Sequence, residues 1–427
     1  MNIKPLVIVK ARHAAISGGY YRLYEILKNG KSEGINYVIV TDLLSYRNYV
    51  QMFPDFKEIL SKYRSYIIDF RKIKLLTPRM PRGLKAVTSY WDSFLLATSI
   101  SRIAREENVD LVVGPSEGSQ IVWASYFSGR ICHVPWTALF QGTTHLLQPT
   151  PGLGPINPIN VLKHVRQKES ARKTPLISQF GFSIELLGLL KIAEETLILT
   201  VSQSMCEEIK SLNPRIKFHI ITPGNGINLE KFAEGSRPPL YDALYFSRLV
   251  PEKGLFDLPE IWKLVVQRFP KAKLAVAGIV EDFKFVKEFQ RMVSRYGLTK
   301  NIIFLGPQDK NSIIDLVRSS KLTINPSVLD TFSLVVLESL ACGTPNIAYN
   351  IPAIKYNFCK CKAVFLCPVK DKASMAKEVV SLLENEDLRN RLSKEAKEYA
   401  GNFDWKKVVK AEKEAYFKVV EWFNSHR

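Results

Sequence analysis

The sequence predicts an α/β protein built from two doubly wound, Rossmann-like domains, and three observations carry that prediction. The chain has 427 residues, more than one hydrophobic core usually organises. Short apolar runs alternate with longer helical stretches almost from end to end, the pattern of parallel sheets covered by helices on both faces. A Pro-rich break, Gly235-Ser236-Arg237-Pro238-Pro239, precedes a fresh apolar run and reads as a boundary. The expected domains are therefore 1–235 and 236–404. The segment 405–427 needs an apolar surface, and packing back on the first domain is one way to supply it.

In chain order, the first half is expected to hold strands at Leu6-Val9, Tyr37-Thr41, Leu111-Val113, Ala138-Phe140 and Leu197-Val201. The second half continues with Ala243-Phe246, Leu274-Ala277, Ile302-Phe304, Leu322-Ile324 and Asn346-Ala348. Each is a short β-rich run bounded by turn residues. From Trp405 to Phe423 the period changes to that of an amphipathic helix, with Trp405, Val408, Val409, Tyr416, Val419 and Val420 on its buried side. Ligands of doubly wound sheets bind at the carboxyl ends of strands, so a cleft between two facing domains is the expected site.

Composition narrows the function classes. A hydrophobic fraction of 46% is that of a globular protein. A net charge of +19 favours polyanionic partners: nucleic acid, an anionic lipid surface or phosphorylated substrates. The opening residues, Asn2-Ile3-Lys4-Pro5 before Leu6-Val7-Ile8-Val9, are too short a run for a secretory signal. The longest apolar candidate, Phe180 to Val201, is interrupted by Glu185, Lys191, Glu194 and Glu195, so no spanning helix is expected. A cytoplasmic location, peripheral on the membrane at most, follows. Six scattered cysteines point to reduced thiols. Cys359-Lys-Cys361 with Cys367 matches no zinc spacing, and no metal site is expected.

The stretch Asn325 to Pro345, NPSVLDTFSLVVLESLACGTP, carries the most chemistry. Asn325-Pro326-Ser327 breaks a buried strand. Ser333 is placed as a side-chain N-cap for a mostly apolar helix. Gly343 suits a left-handed C-terminal position, and Pro345 follows as a stop. Asp330 then lies in the loop before the helix and Glu338 within its turns. The helix N-terminus, with free N–H groups and partial positive charge, offers an anion site, and the two carboxylates can accept hydrogen bonds from hydroxyl groups on either side of a bound phosphate.

These residues resemble a known family. Asp330-x7-Glu338 with the following Ser-Leu-Ala-Cys-Gly-Thr-Pro looks like the E-x7-E motif of retaining GT-B glycosyltransferases, family four. Arg248-Leu-Val-Pro-Glu-Lys253-Gly254 looks like that family's donor-phosphate segment, and Pro223-Gly224-Asn225-Gly226-Ile227-Asn228 resembles its turn at the end of the first domain. Ser17-Gly18-Gly19 sits where the family has its first glycine loop. The four lie in the family's order and cover most of the chain.

The resemblance implies a GT-B fold and transfer of a sugar, with retention, from a nucleotide-diphosphate donor to an acceptor. Arg248 and Lys253 would neutralise the diphosphate, Arg by a planar fork and Lys as a point charge. Gly18 and Gly19 allow close approach of backbone N–H groups to it. The donor-binding set is Gly18, Gly19, Arg248, Lys253, Thr331, Phe332, Ser333, Leu334 and Glu338. Asp330 would anchor a sugar hydroxyl and Glu338 the ribose, with Arg248 and Lys253 completing the catalytic set. No metal or other cofactor is implied, and the sequence has no Asp-x-Asp pair to hold one.

Some positions depart from the family. Asp330 stands where Glu is usual, shorter by one methylene. Ser247 replaces the Gly before Arg248, and Thr331-Phe332-Ser333 replaces Gly-Phe-Gly. Gln141 falls where a His is frequent, with His145 and His13 as the other acceptor-side candidates.

The segment from Lys57 to Lys85 interleaves Lys62, Arg64, Arg71, Lys72, Lys74, Arg79 and Arg82 with Tyr63, Tyr66, Ile67, Ile68 and Phe70. A second basic stretch runs through Lys163, Arg166, Lys168, Arg172 and Lys173. Such segments suit an anionic lipid surface, so a lipid-linked or glycolipid acceptor at the membrane face is the expected partner. Two other readings compete: a GT-B nucleotide-sugar epimerase, and a basic nucleic-acid binder with a decayed donor site. The second is disfavoured because no RNA- or DNA-reading motif is present.

Overall fold

The computed structural model describes residues 2–11, 18–68, 82–141, 185–233 and 238–426. His13, Ser17, His145 and the Lys163-to-Lys173 stretch lie outside them. The chain divides into two compact units, 1–224 with 405–427, and 225–404. The division falls in the Pro223-to-Asn228 turn, ahead of the Pro-rich stretch at 235–239.

Unit 1 is built on a parallel sheet of strands β1 (Pro5–Val9), β2 (Val38–Thr41), β3 (Arg64–Ile67), β4 (Leu111–Gly114), β5 (Trp136–Phe140), β6 (Leu197–Thr200) and β7 (Lys217–Ile220). Their spatial order is β3-β2-β1-β4-β5-β6-β7. Helices α1 (Gly18–Gly30), α2 (Leu43–Met52), α3 (Phe56–Ser61), α4 (Arg82–Glu106), α5 (Ser119–Cys132) and α6 (Gln203–Leu212) connect them. Every residue of β1, β2, β4 and β5 is buried. A parallel strand covered on both faces needs an unbroken apolar run, which is why these four are visible in the sequence. β3 and β7 occupy the two edges, are largely exposed or half-buried, and carry no such run.

Unit 2 repeats the plan. Strands β8 (Tyr241–Phe246), β9 (Leu274–Ala277), β10 (Ile302–Gly306), β11 (Ser320–Asn325), β12 (Asn346–Tyr349) and β13 (Val364–Cys367) pair in parallel in the order β10-β9-β8-β11-β12-β13. Its helices are α7 (Leu229–Ala233), α8 (Leu258–Arg268), α9 (Phe283–Arg295), α10 (Lys310–Arg318), α11 (Leu334–Ala341), α12 (Pro352–Phe358), α13 (Lys372–Glu384) and α14 (Glu386–Ala400).

The last helix, α15 (Trp405–Ser425), returns to unit 1 and buries Trp405, Val408, Val409, Ala415, Tyr416 and Val419 in the core that also holds Leu23, Ile26 and Leu27 of α1. A fully buried ion pair crosses this seam. Arg22 of α1 donates to Glu412 at 2.6 Å, and both side chains are about 2% exposed. Arg22 Nε also donates to the Gly224 carbonyl at 2.6 Å, and Tyr416 donates to the other Glu412 oxygen at 2.8 Å. Each charge is therefore hydrogen-bonded by two partners, which offsets the cost of burying the pair.

Candidate active site

In unit 2 the strand order reverses between β8 and β11, and loops leaving the carboxyl ends of strands at such a switch point form the ligand crevice of doubly wound sheets. The loop after β8 holds Arg248 and Lys253; the loop after β11 holds Asp330. Backbone bonds join the two, Val328 N–H donating to the Glu252 carbonyl at 3.0 Å. The first loop ends in a tight turn, Pro251–Lys253, capped by Gly254 at φ +78°. A Cβ there would lie 2.1 Å from the Pro326 carbonyl oxygen. Only glycine permits both the left-handed backbone and the close approach of the loops.

That approach sets the electrostatics. Lys253 Nζ donates to the Leu329 carbonyl at 2.8 Å and to Asp330 Oδ2 at 3.1 Å. The second Asp330 oxygen accepts from the Thr331 N–H at 2.9 Å. Arg248 Nη1 donates to Glu281 at 2.6 Å, and Glu252 lies 3.6 Å from Nη2. Partial burial works against the charged guanidinium, but the Glu281 hydrogen bond and the charges of Glu281, Glu252 and Asp330 outweigh it, holding Arg248 above its ordinary range. Tyr245 donates to the Arg248 carbonyl at 3.0 Å and fixes the loop's start.

The start of α11 differs from the sequence expectation. Ser333 occupies the N-cap position but makes no side-chain cap bond, because its backbone is left-handed, φ +73° and ψ +74°. A capping side chain needs an extended backbone to reach the N–H groups of the first turn. Instead Ser333 Oγ accepts from Asn325 Nδ2 at 3.0 Å, both buried. The resembling family has glycine here, and the left-handed conformation is the physical reason. Further in, Asn346 Nδ2 donates to Thr323 Oγ1 at 2.8 Å and Thr323 Oγ1 to Ser339 Oγ at 2.9 Å, pinning α11 to β11 and β12.

Phe332 is 3% exposed and packs against Phe358 and Phe403, so its ring belongs to the core and only its backbone faces the loop. Leu334 is half-buried at the first helical position. Gly343 takes the left-handed C-terminal position at φ +76°. Glu338 is 15% exposed and pairs with Lys310 at the start of α10, whose ammonium also lies 5.4 Å from the centre of the Phe232 ring. Sequence reasoning passed over Glu281 and Lys310, because each acts through a partner distant in sequence.

In unit 1, Gly18 and Gly19 open α1 directly. The Gln141 amide lies beside Gly19, donating from Nε2 to the Pro115 carbonyl at 2.8 Å, and the Gln141 N–H donates to Glu117 at 3.2 Å. The carboxyl ends of β4 and β5 thus bring Gln141, Glu117 and the glycines together, and Glu117 had no signal in the sequence. Among the described residues no group of three or more His, Cys, Asp and Glu is set to hold a metal ion. No described helix is long and apolar enough to cross a membrane.

This architecture is that of the GT-B glycosyltransferases. Residues 227–399 match the family model of the glycosyl transferases group 1. Among curated relatives, D-inositol 3-phosphate glycosyltransferase of Corynebacterium efficiens is 26% identical over 204 residues, 47% of this chain and 48% of the relative. Glycogen synthase of Mycobacterium tuberculosis is 26% identical over 229 residues, 53% and 55% of the two chains. The chain spans about half the length of the curated relatives it matches. Solved structures give the same fold over nearly whole chains. A glycosyltransferase of Rickettsia africae superposes with TM-score 0.66 at 16% identity, covering 98% of this chain and 99% of the other. Anabaena HepE, solved in complex with UDP, gives 0.65 at 16% identity, covering 98% and 100%.

Proposed function

We propose that the protein is a retaining glycosyltransferase that moves a sugar from a nucleotide-diphosphate donor to a lipid-linked or glycolipid acceptor. One observation carries the donor half of this reading: Lys253 and Arg248, each held by a carboxylate, stand at the switch point of unit 2 beside the N-terminus of α11. The similar fold of Anabaena HepE, solved with UDP and with UDP-glucose, agrees with it.

In the proposed reaction the hard step is charge building on the departing diphosphate. Arg248, Lys253 and the free N–H groups at the start of α11 stabilise that charge, so no metal ion is required. The diphosphate displaces the Asp330 carboxylate from Lys253, and Asp330 turns to a sugar hydroxyl. Glu338 leaves Lys310 for the ribose hydroxyls. The acceptor hydroxyl attacks from the face the diphosphate leaves, giving its proton to the departing phosphate oxygen. Bond formation and cleavage on one face retain the anomeric configuration.

A membrane-borne acceptor is supported by unit 1. Helix α4 exposes Trp91 (60%), Phe94 and Leu95 to solvent, and Lys62 is exposed on the same unit. Basic and aromatic side chains together suit anionic bilayers.

The test is a thermal-shift screen against a panel of nucleotide-diphosphate sugars, with and without Glu338→Ala. A donor-specific rise in melting temperature that the substitution removes is the expected result. No shift with any donor, alone or with candidate acceptors, refutes the donor site. Flotation with phosphatidylglycerol vesicles at modest salt tests the acceptor half separately; failure to co-float removes the membrane.

A further inference from the structure

The outer edge of the unit 1 sheet carries a feature that the transfer reaction does not use. A groove of about 500 Å³ follows β3, lined by Tyr46 of α2, Lys57 of α3, and Tyr63, Arg64, Ser65 and Tyr66. That volume lies within the roughly 300–1,000 Å³ of small-ligand sites. It shares no residue with Gly18, Gly19 or Gln141.

The groove's chemistry is selective. Neither Lys57 nor Arg64 has an ion pair or side-chain hydrogen bond among the described residues, and no carboxylate lines the groove. Of the acids nearby, Glu58 lies 3.7 Å from Lys62, while Glu107, just outside the lining, takes the Lys4 ammonium at 2.9 Å and also feels the Arg64 charge. Two cations without an ion pair among the described residues line one concavity, which favours an anion, and the Arg fork matches a phosphate.

The aromatic walls are held in place. Tyr66 donates to Glu107 at 2.5 Å and Tyr63 to the Leu27 carbonyl at 2.8 Å, so both rings are anchored by their hydroxyls with their bodies left at the groove. Fixed rings offer a flat apolar face and pre-arranged contact area. A phosphate alone would have no use for them, whereas a saccharide ring presents C–H faces and hydroxyls that match rings and serines.

We propose that this groove is a binding site for a phosphorylated saccharide, with Arg64 and Lys57 on the phosphate and the tyrosines on the sugar ring. The inference rests on unit 1 alone and stands without the transfer reaction.

Titration calorimetry of the full chain with glucose 6-phosphate, inorganic phosphate and glucose, at low salt, tests it. Glucose 6-phosphate is expected to bind at least about tenfold more tightly than either part alone, since ring and phosphate contacts add. Arg64→Ala should weaken it roughly tenfold or more, Tyr46→Ala less, and Arg64→Lys should recover part of the loss. Melting curves check that each variant is folded, and any nucleotide-sugar shift should persist in Arg64→Ala. Equal binding of inorganic phosphate would reduce the groove to a diffuse anion patch and overturn the proposal. So would binding that survives Arg64→Ala with Lys57→Ala. Arg64-dependent binding of phosphatidylglycerol vesicles without glucose 6-phosphate binding would assign these cations to a membrane instead. No saturable binding would leave them as charges that guard the free edge of β3.

Discussion

Lys253 Nζ lies 3.1 Å from Asp330 Oδ2, and the two side chains are 13% and 19% exposed. The pair ties the loop after β8 to the loop after β11 and holds each charge ready for a ligand of opposite sign. Lys253→Ala is expected to lower stability by about 1–2 kcal/mol, because it strands a largely buried carboxylate, less than for a fully buried ion. Asp330→Asn in the same background should cost little more. Chemical denaturation of the four forms gives the coupling, expected near 1 kcal/mol; strictly additive losses would show that the pair does not act as a unit.

Glu281 competes with any diphosphate for Arg248. The pair is nearly half exposed, and such pairs contribute about 0.2–1 kcal/mol. Glu281→Gln should therefore tighten binding of a responsive nucleotide sugar by up to about fivefold. Weaker binding in the same titration would mean that Glu281 orients the guanidinium productively.

Ser333 separates two effects in one position. Ser333→Ala keeps the left-handed backbone and loses the Asn325 bond. Ser333→Gly loses the same bond but relieves a conformation that costs non-glycine residues about 1–2 kcal/mol. The glycine variant is expected to be more stable than the alanine variant by about 1 kcal/mol in urea denaturation, with glycine's larger unfolded-state entropy absorbing the rest. Equal stability would mean that the loop relaxes around alanine.

The buried Arg22–Glu412 pair predicts a strong asymmetry. Glu412→Gln leaves the Arg22 charge buried without a counter-charge, with only the Gly224 carbonyl and a neutral amide oxygen to accept from it, a change of about 3–5 kcal/mol. Arg22→Met with Glu412→Leu removes both charges and should be much less harmful than the single change. A double variant as unstable as Glu412→Gln would show that hydrogen bonding to Gly224 and Tyr416, rather than charge pairing, secures α15.

Burial holds the thiols of Cys206, Cys361 and Cys367 up to about 11 and that of Cys342 up to about 12. The thiolate is the reactive form, so a disulfide reagent at pH 8 should label the exposed Cys359 first and these four only on unfolding. Their folded values lie above the unfolded one, so their contribution to stability is complete below about pH 8.5 and is lost as pH rises further. Melting temperature should fall from about pH 9 upward; a flat profile to pH 11 would contradict the burial.

The sequence by itself determined the strands that are buried on both faces. Val7, Val40, Val112, Leu139, Leu244, Ala275, Leu322 and Ile347 sit in mostly apolar runs, since neither side of their sheet meets water. It also determined the left-handed helix end at Gly343 and the types of charge at the candidate site. These are local properties, readable within a few residues. The edge strands β3 and β7 were not legible, because strands with one side in solvent have no apolar run to show.

Only the tertiary structure decided which charges meet. Lys253 and Asp330 are 77 residues apart, and they touch because β8 and β11 are neighbours at the point where the strand order reverses. The same holds for Arg22 and Glu412, which lie 390 residues apart, and for Ser333, whose left-handed backbone turns an expected cap into a partner for Asn325. Side-chain period and turn chemistry are fixed by near neighbours, whereas pairing across a fold is fixed by topology and packing, which no short stretch contains.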